Sequence, residues 1–116
     1  AHPLFFHEFG ETALVAEEGD QLVGFLLGLH TTGASPTAYI HLVGIHPDHR
    51  RRGVGHDLYG TFCERARAAG VPRAKAIAAV GHDGPIRFHQ ALGFQGTEDP
   101  NYAGRGRARM VFLKDL

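Results

Sequence analysis

Apolar residues gather in residues 12–17 and 21–30, in short runs bounded by polar turns, and the tripeptide Glu18-Gly19-Asp20 sits between them. That pattern predicts two strands joined as a hairpin. A polar, Gly/Pro-bearing loop over residues 31–36 leads to a third apolar strand, residues 39–45. The period then changes. Val54, Leu58, Phe62 and Ala66 recur every four residues and predict a long helix from about Gly53 to Ala69, stopped by Gly70 with Pro72 beyond. Residues 74–80 read as a buried, Ala-rich strand. Pro85 fits the first turn of a short helix that ends at Leu92, with Gly93 as its cap and Phe94 folding back. A loop rich in Gly and Asn precedes a last strand, residues 107–114. At the start, Phe5, Phe6 and Phe9 have the spacing of a helix end packed on a core. Neither a repeat nor a linker interrupts the order, so residues 1–116 are expected to form one domain of α/β (α+β) type.

The segment Ile45-His-Pro-Asp-His-Arg50-Arg-Arg-Gly53-Val-Gly55 joins the third strand to the long helix. A helix N-terminus presents free N–H groups and the positive end of the helix dipole, which together attract anions. Glycine lets a phosphate approach the backbone closely. Three arginines at the positive end of a dipole repel it unless an anion balances them. Two familiar phosphate loops fail on spacing. A P-loop needs Lys-Ser/Thr after its last glycine, where His56-Asp57 stands. A dinucleotide fingerprint needs a third glycine at Leu58 and an acid after the next strand, and has neither.

Composition narrows the partners. A chain of 116 residues with 43% hydrophobic content fits one core, and no apolar run approaches the roughly 20 residues of a membrane span. The single Cys63 precludes an internal disulfide and suits a cytoplasmic protein. Net charge is zero, which argues against nucleic acid. The charge is unevenly spread: all twelve Lys and Arg lie in residues 50–116, and none in residues 1–49. One half suits a polyanionic cofactor, the other a cationic partner. His41, His46 and His49 follow no zinc-ligand spacing, so no metal is expected and the two loop histidines read as solvated. Cys63 reads as core packing. Arg105, Arg107 and Arg109 lack the interleaved aromatics of a single-strand binder.

The spacing Pro47-x-x-Arg50-x-x-Gly53-x-Gly55 resembles the acyl-CoA pyrophosphate loop of the GNAT superfamily of N-acetyltransferases. Pro85-Ile-Arg-Phe-His89-Gln-Ala-Leu-Gly93-Phe94 is similar to that superfamily's later motif, a short helix ending in Leu-Gly-Phe. The resemblance spans roughly residues 12–114. It implies a mixed, mostly antiparallel sheet splayed at its centre, between residues 39–45 and 74–80. The pantetheine arm of acetyl-CoA would pair with backbone near Val43 and Ile45, and the diphosphate would rest on N–H groups around Arg51, Arg52, Gly53, Val54 and Gly55, with Arg50 beside them. His82 stands where such enzymes commonly carry a cofactor-contacting Asn, and His89 where they usually carry Tyr. Related enzymes begin with a strand and two helices that form part of the acceptor wall. A missing N-terminal piece is therefore expected here, or a second subunit, as in a homodimer, completing that wall.

The implied reaction moves an acetyl group to a primary amine, on a small molecule or a peptide, by direct attack in a ternary complex. An amine with pKa ~10.4 is neutral in only about one molecule in a few thousand at pH 7, so a base must take its proton. Strict alternation places Tyr39, His41, Val43 and Ile45 on one strand face and Ile40 and Leu42 on the other. His41 then lies ~7 Å back from the cofactor-pairing end, within reach through a water. Members of the superfamily place a histidine at the position matching His41, or a carboxylate at that matching Tyr39. The oxyanion donor would be a backbone N–H near Ile45. For the departing thiolate, His89 is the matching acid, and Tyr102 is a second donor or part of the acceptor pocket. The alternative function is a non-catalytic acyl-CoA-binding or regulatory domain using the same cleft.

Overall fold

The computed structural model describes residues 4–8, 13–50 and 52–116. The strands are β1 (Leu4–Glu8), β2 (Ala13–Glu18), β3 (Gln21–His30), β4 (Ala38–Ile45), β5 (Arg73–Ala78), β6 (Gln95–Asp99) and β7 (Arg109–Asp115). Helix α1 (Val54–Ala68) follows β4 through a 3-10 turn at Pro47–His49, and helix α2 (Asp83–Ala91) lies between β5 and β6. The strands form one sheet in the order β1-β2-β3-β4-β5-β7-β6. All neighbours run antiparallel except β4 and β5, which are parallel.

That parallel pairing is short. It comprises Ala38↔Ala74, Tyr39↔Lys75 and Ile40↔Ala76, after which β4 continues to Ile45 bonded only to β3. The sheet therefore opens into a wedge between β4 and β5, where the expected splay lies.

Helix α1 buries Val54, Leu58, Phe62 and Ala66, the four residues whose spacing predicts it. Each large apolar side chain removed from water contributes about 1.5–3 kcal/mol. The helix can lie close because β3 carries glycine beneath it. A Cβ on Gly28 would stand 2.5 Å from the Phe62 ring, and one on Gly24 would stand 3.0 Å from Val54. Ala38, Ile40, Ala74 and Ala76 are buried in the same core, with Leu26 and Phe112 fully enclosed. The opposite sheet face carries Leu27, Leu29, Leu42 and Leu113 partly in solvent. Among the described residues no helix is long and apolar enough to cross a membrane.

Three expectations need correction. Residues 5 and 6 belong to β1 rather than to a helix end, because backbone pairing with β2 (Phe5↔Glu17, Phe6↔Ala16) outweighs a short helical spacing; Phe9 lies outside the described residues. Strand β6, within what reads as a loop, is an exposed edge strand made by pairing with β7, and its own sequence has little apolar alternation. Finally, β4 does not alternate evenly. Leu27 pairs with Leu42 and Gly28 with Ile40, leaving His41 as an extra, bulged residue. The bulge shifts the phase, so Ile40, Val43 and Ile45 all pack toward the α1 core while His41 and Leu42 are exposed.

Candidate functional site

Gly53 holds the left-handed conformation (φ 79°) and is the N-cap of α1, with no side chain capping the first turn. A glycine cap leaves the leading N–H groups of α1 to be satisfied by something else. A Cβ built on Gly53 would meet nothing within 4 Å, and one on Gly55 would touch the Phe88 ring at 3.5 Å and Ile45 Cδ1 at 4.0 Å. The space beside Gly53 is therefore open. A cleft of about 290 Å³ occupies it, lined by Ile45, Arg50, Gly53, Val54, Gly55 and Phe88. Its glycine-capped helix start, backbone donors and apolar floor fit a diphosphate with an organic tail.

The three arginines of the loop separate. Arg50 is exposed and lines the cleft. Arg51 lies outside the described residues. Arg52 turns toward β2 and grips the Glu18 carboxylate with both terminal nitrogens, at 3.4 and 2.8 Å. It also donates to Nδ1 of His49 at 2.6 Å, so His49 donates from Nε2 to Gln21 Oε1 at 3.2 Å. His49 is accordingly buried, with both ring nitrogens engaged, where the sequence reads as a solvated loop histidine. Arg52 thus braces the loop against the β2–β3 turn, and its charge is already balanced there.

The wedge supplies the rest. Beyond Ile40 the β4 edge facing β5 has no strand partner, which leaves the backbone of Val43 and Ile45 on that side available. Tyr39 and Lys75, paired across the last rungs, point to the sheet face away from α1. The exposed His41 ring stands 5.9 Å from that of Tyr39. Tyr102, from the β6–β7 loop, lies under Lys75 with its ring centroid 4.7 Å from Nζ. That loop is braced by hydrogen bonds from Asn101 N to Asp99 Oδ1 and from Gly106 N to Asn101 Oδ1. His82, exposed, is the N-cap of α2.

His89 is placed differently from the other candidates. It is buried, stacked flat on Phe112 at 4.0 Å and edged by Phe88 and Phe94. Nδ1 lies 2.7 Å from the Pro85 carbonyl, which can only accept, so Nδ1 carries the proton. Nε2 then accepts from the Tyr59 hydroxyl at 2.9 Å. Burial lowers its pKa, against a smaller opposite effect of the Pro85 hydrogen bond, and the ring is neutral at pH 7. An imidazolium acid is not what this environment makes. Burial likewise raises the pKa of Tyr59 and of Cys63.

The Acetyltransferase (GNAT) family model matches residues 1–94. The chain belongs to this family. An acetyltransferase of Yersinia pestis is 30% identical over 95 residues, 82% of this chain and 64% of the relative. The L-2,4-diaminobutyric acid acetyltransferase of Shouchella clausii is 35% identical over 57 residues, 49% of this chain and 32% of the relative. The chain thus spans less than two thirds of the length of either relative. Among solved structures, Ard1 from Thermoplasma volcanium superposes with a TM-score of 0.77 at 25% identity, covering 94% of this chain and 73% of that one. GNAT membership agrees with the two sequence motifs and with the splayed mixed sheet.

Lys75, Glu18, Gln21 and Tyr59 make contacts around the candidate site that the sequence does not announce. Only Lys75 leaves a trace there, as a cation inside the apolar run 74–78.

Proposed function

We propose that the chain is an acetyl-CoA-dependent N-acetyltransferase that moves an acetyl group to a primary amine in a ternary complex. The observation that carries this reading is the meeting of two features in one place: a glycine-capped helix N-terminus and a wedge that frees one edge of β4. Acetyl-CoA supplies an activated thioester carbonyl, to which a neutral amine adds with release of the CoA thiol. The leading N–H groups of α1, at Val54 and Gly55, hold the diphosphate, with Arg50 beside them. The β4 backbone at Val43 and Ile45 binds the pantetheine amides, and a backbone N–H near Ile45 receives the developing negative charge. His82, at the start of α2, lies on the cofactor side.

Cofactor and acceptor approach from opposite faces of the sheet. Tyr39 and His41 stand on the acceptor side, and the His41 imidazole accepts the amine proton through a water. His89 serves by holding α2 against the core. A thiol of pKa ~8.5 is mostly protonated at pH 7 and regains its proton from solvent, without a buried acid. Cys63, a buried free thiol, suits a cytoplasmic setting.

Release of CoA should be followed with a panel of amines, amino acids and N-terminal peptides, and without acceptor. Amine-dependent release supports the transferase. Tight cofactor binding with only slow, amine-independent hydrolysis would instead favour a non-catalytic acyl-CoA-binding domain.

A further inference from the structure

Lys75 occupies an unusual position. It is the one charged residue between Ala74 and Ala78 on β5, paired with Tyr39 one rung before the sheet opens. Both its neighbours on the strand, Ala74 and Ala76, are buried beneath α1, so Lys75 projects from the opposite face, half-buried. Among the described residues it has no carboxylate within ion-pair distance; its one recorded partner is the Tyr102 ring. The ring comes from a loop whose hydrogen bonds hold it in place rather than from a free tail. A cation fixed over an aromatic face and left without an anion retains its charge for a ligand. Its surroundings on that face, Tyr39 and His41 beside the mouth of the wedge, are those an amine acceptor must pass.

We infer that Lys75, steadied by Tyr102, reads an anionic group on the acceptor, so that the amine acetylated here is one bearing a carboxylate. This rests on the transferase reading above. The ammonium of the acceptor itself adds weight to the assignment. A cationic amine entering beside Lys75 is repelled unless it also carries a negative group to offset that repulsion. An acid on the acceptor reverses the sign of the encounter, and its distance from the amine is set by the separation of Lys75 from the opening at Ile40 and Ala76. Lys75 is a specificity residue in this scheme and takes no part in the proton transfers.

The test uses matched acceptors, amino acids against their own carboxamides, with wild type, Lys75→Gln and Lys75→Arg. The amide's amine is less basic and more often neutral, so intrinsic chemistry favours the amide. The expected result is that wild type prefers the acids in kcat/KM, that Lys75→Gln lowers the acid-to-amide ratio at least tenfold, and that Lys75→Arg restores part of it. A mere brace for the Tyr102 loop would lower both members of each pair together and leave the ratio unmoved. That outcome, or a wild-type ratio at or below one, overturns the inference while the transferase reading stands. Failure of every acid and amide, while another amine or a peptide of the wider panel still drives CoA release, overturns the inference alone; failure of the whole panel overturns both.

Discussion

Tyr59 on α1 donates a hydrogen bond from its hydroxyl to Nε2 of His89 on α2 across 2.9 Å, in a buried pocket walled by three phenylalanine rings. The bond joins the long helix α1 to the short helix α2. It also explains why a histidine is compatible with that pocket: both ring nitrogens are satisfied, one by Tyr59 and one by the Pro85 carbonyl.

Replacing Tyr59 with Phe removes the donor and strands a buried acceptor, at a cost of about 1–3 kcal/mol. Urea denaturation should show a lower midpoint with an unchanged slope. His89→Phe in the same background should then cost less than it does in the wild type, because the stranded nitrogen goes with it. Additive losses would separate the two residues.

The neutral state of His89 gives the fold a pH dependence. Its pKa is lowered in the folded protein by burial, so below about pH 6.5 the unfolded chain binds more protons than the native one. The stability that rests on the neutral ring is complete above pH 6.5 and is lost as pH falls toward the depressed folded value. Thermal melts should therefore drop between pH 7.5 and 5.5 in the wild type, and His89→Phe should flatten that drop. A slope preserved in the variant would assign the effect to other groups.

At the proposed cofactor cleft, backbone is expected to matter more than side-chain charge. Gly53→Val forces a β-branched residue into φ 79°, and should lower acetyl-CoA affinity tenfold or more by calorimetry. Gly55→Val pushes methyl groups into the cleft beside Phe88 and should do likewise. Arg52→Ala acts indirectly, by releasing Glu18 and His49, and should weaken binding less. Small, equal effects from all three would remove the loop from the diphosphate site.

His41 is tested by the shape of a pH–rate profile. If it takes the amine proton, His41→Ala lowers kcat/KM and changes the shape of the acidic limb of the profile, and the loss shrinks at high pH as free amine accumulates. A profile unchanged in shape and height would leave Tyr39 as the base.

Most of the chain is legible in its sequence because period and punctuation agree. Val54, Leu58, Phe62 and Ala66 mark α1, and Gly53 and Gly70 bracket it in the left-handed conformation. The parts that escape reading depend on contacts between distant residues. A bulge at His41 is set by the partner strand, so strict alternation along β4 puts Ile40 on the wrong side from Val43 and Ile45. Strand β6 exists because β7 pairs with it. His49 is drawn inward by Gln21 and Arg52, and Arg52 by Glu18, thirty-four residues earlier. A basic triplet in a sequence therefore overstates the charge that a ligand meets.

The three rungs between β4 and β5 have a mechanical meaning. On one side of that seam β3 and β4 share seven paired positions, and on the other β5 and β7 share six. The sheet is thus two stiff panels joined along a narrow weld. A molecule lying in the wedge and pairing with the free edge of β4 would act as a further strand of the sheet and lengthen the weld. Occupancy and rigidity would then become one property, with the panels held in register by the molecule that fills the wedge.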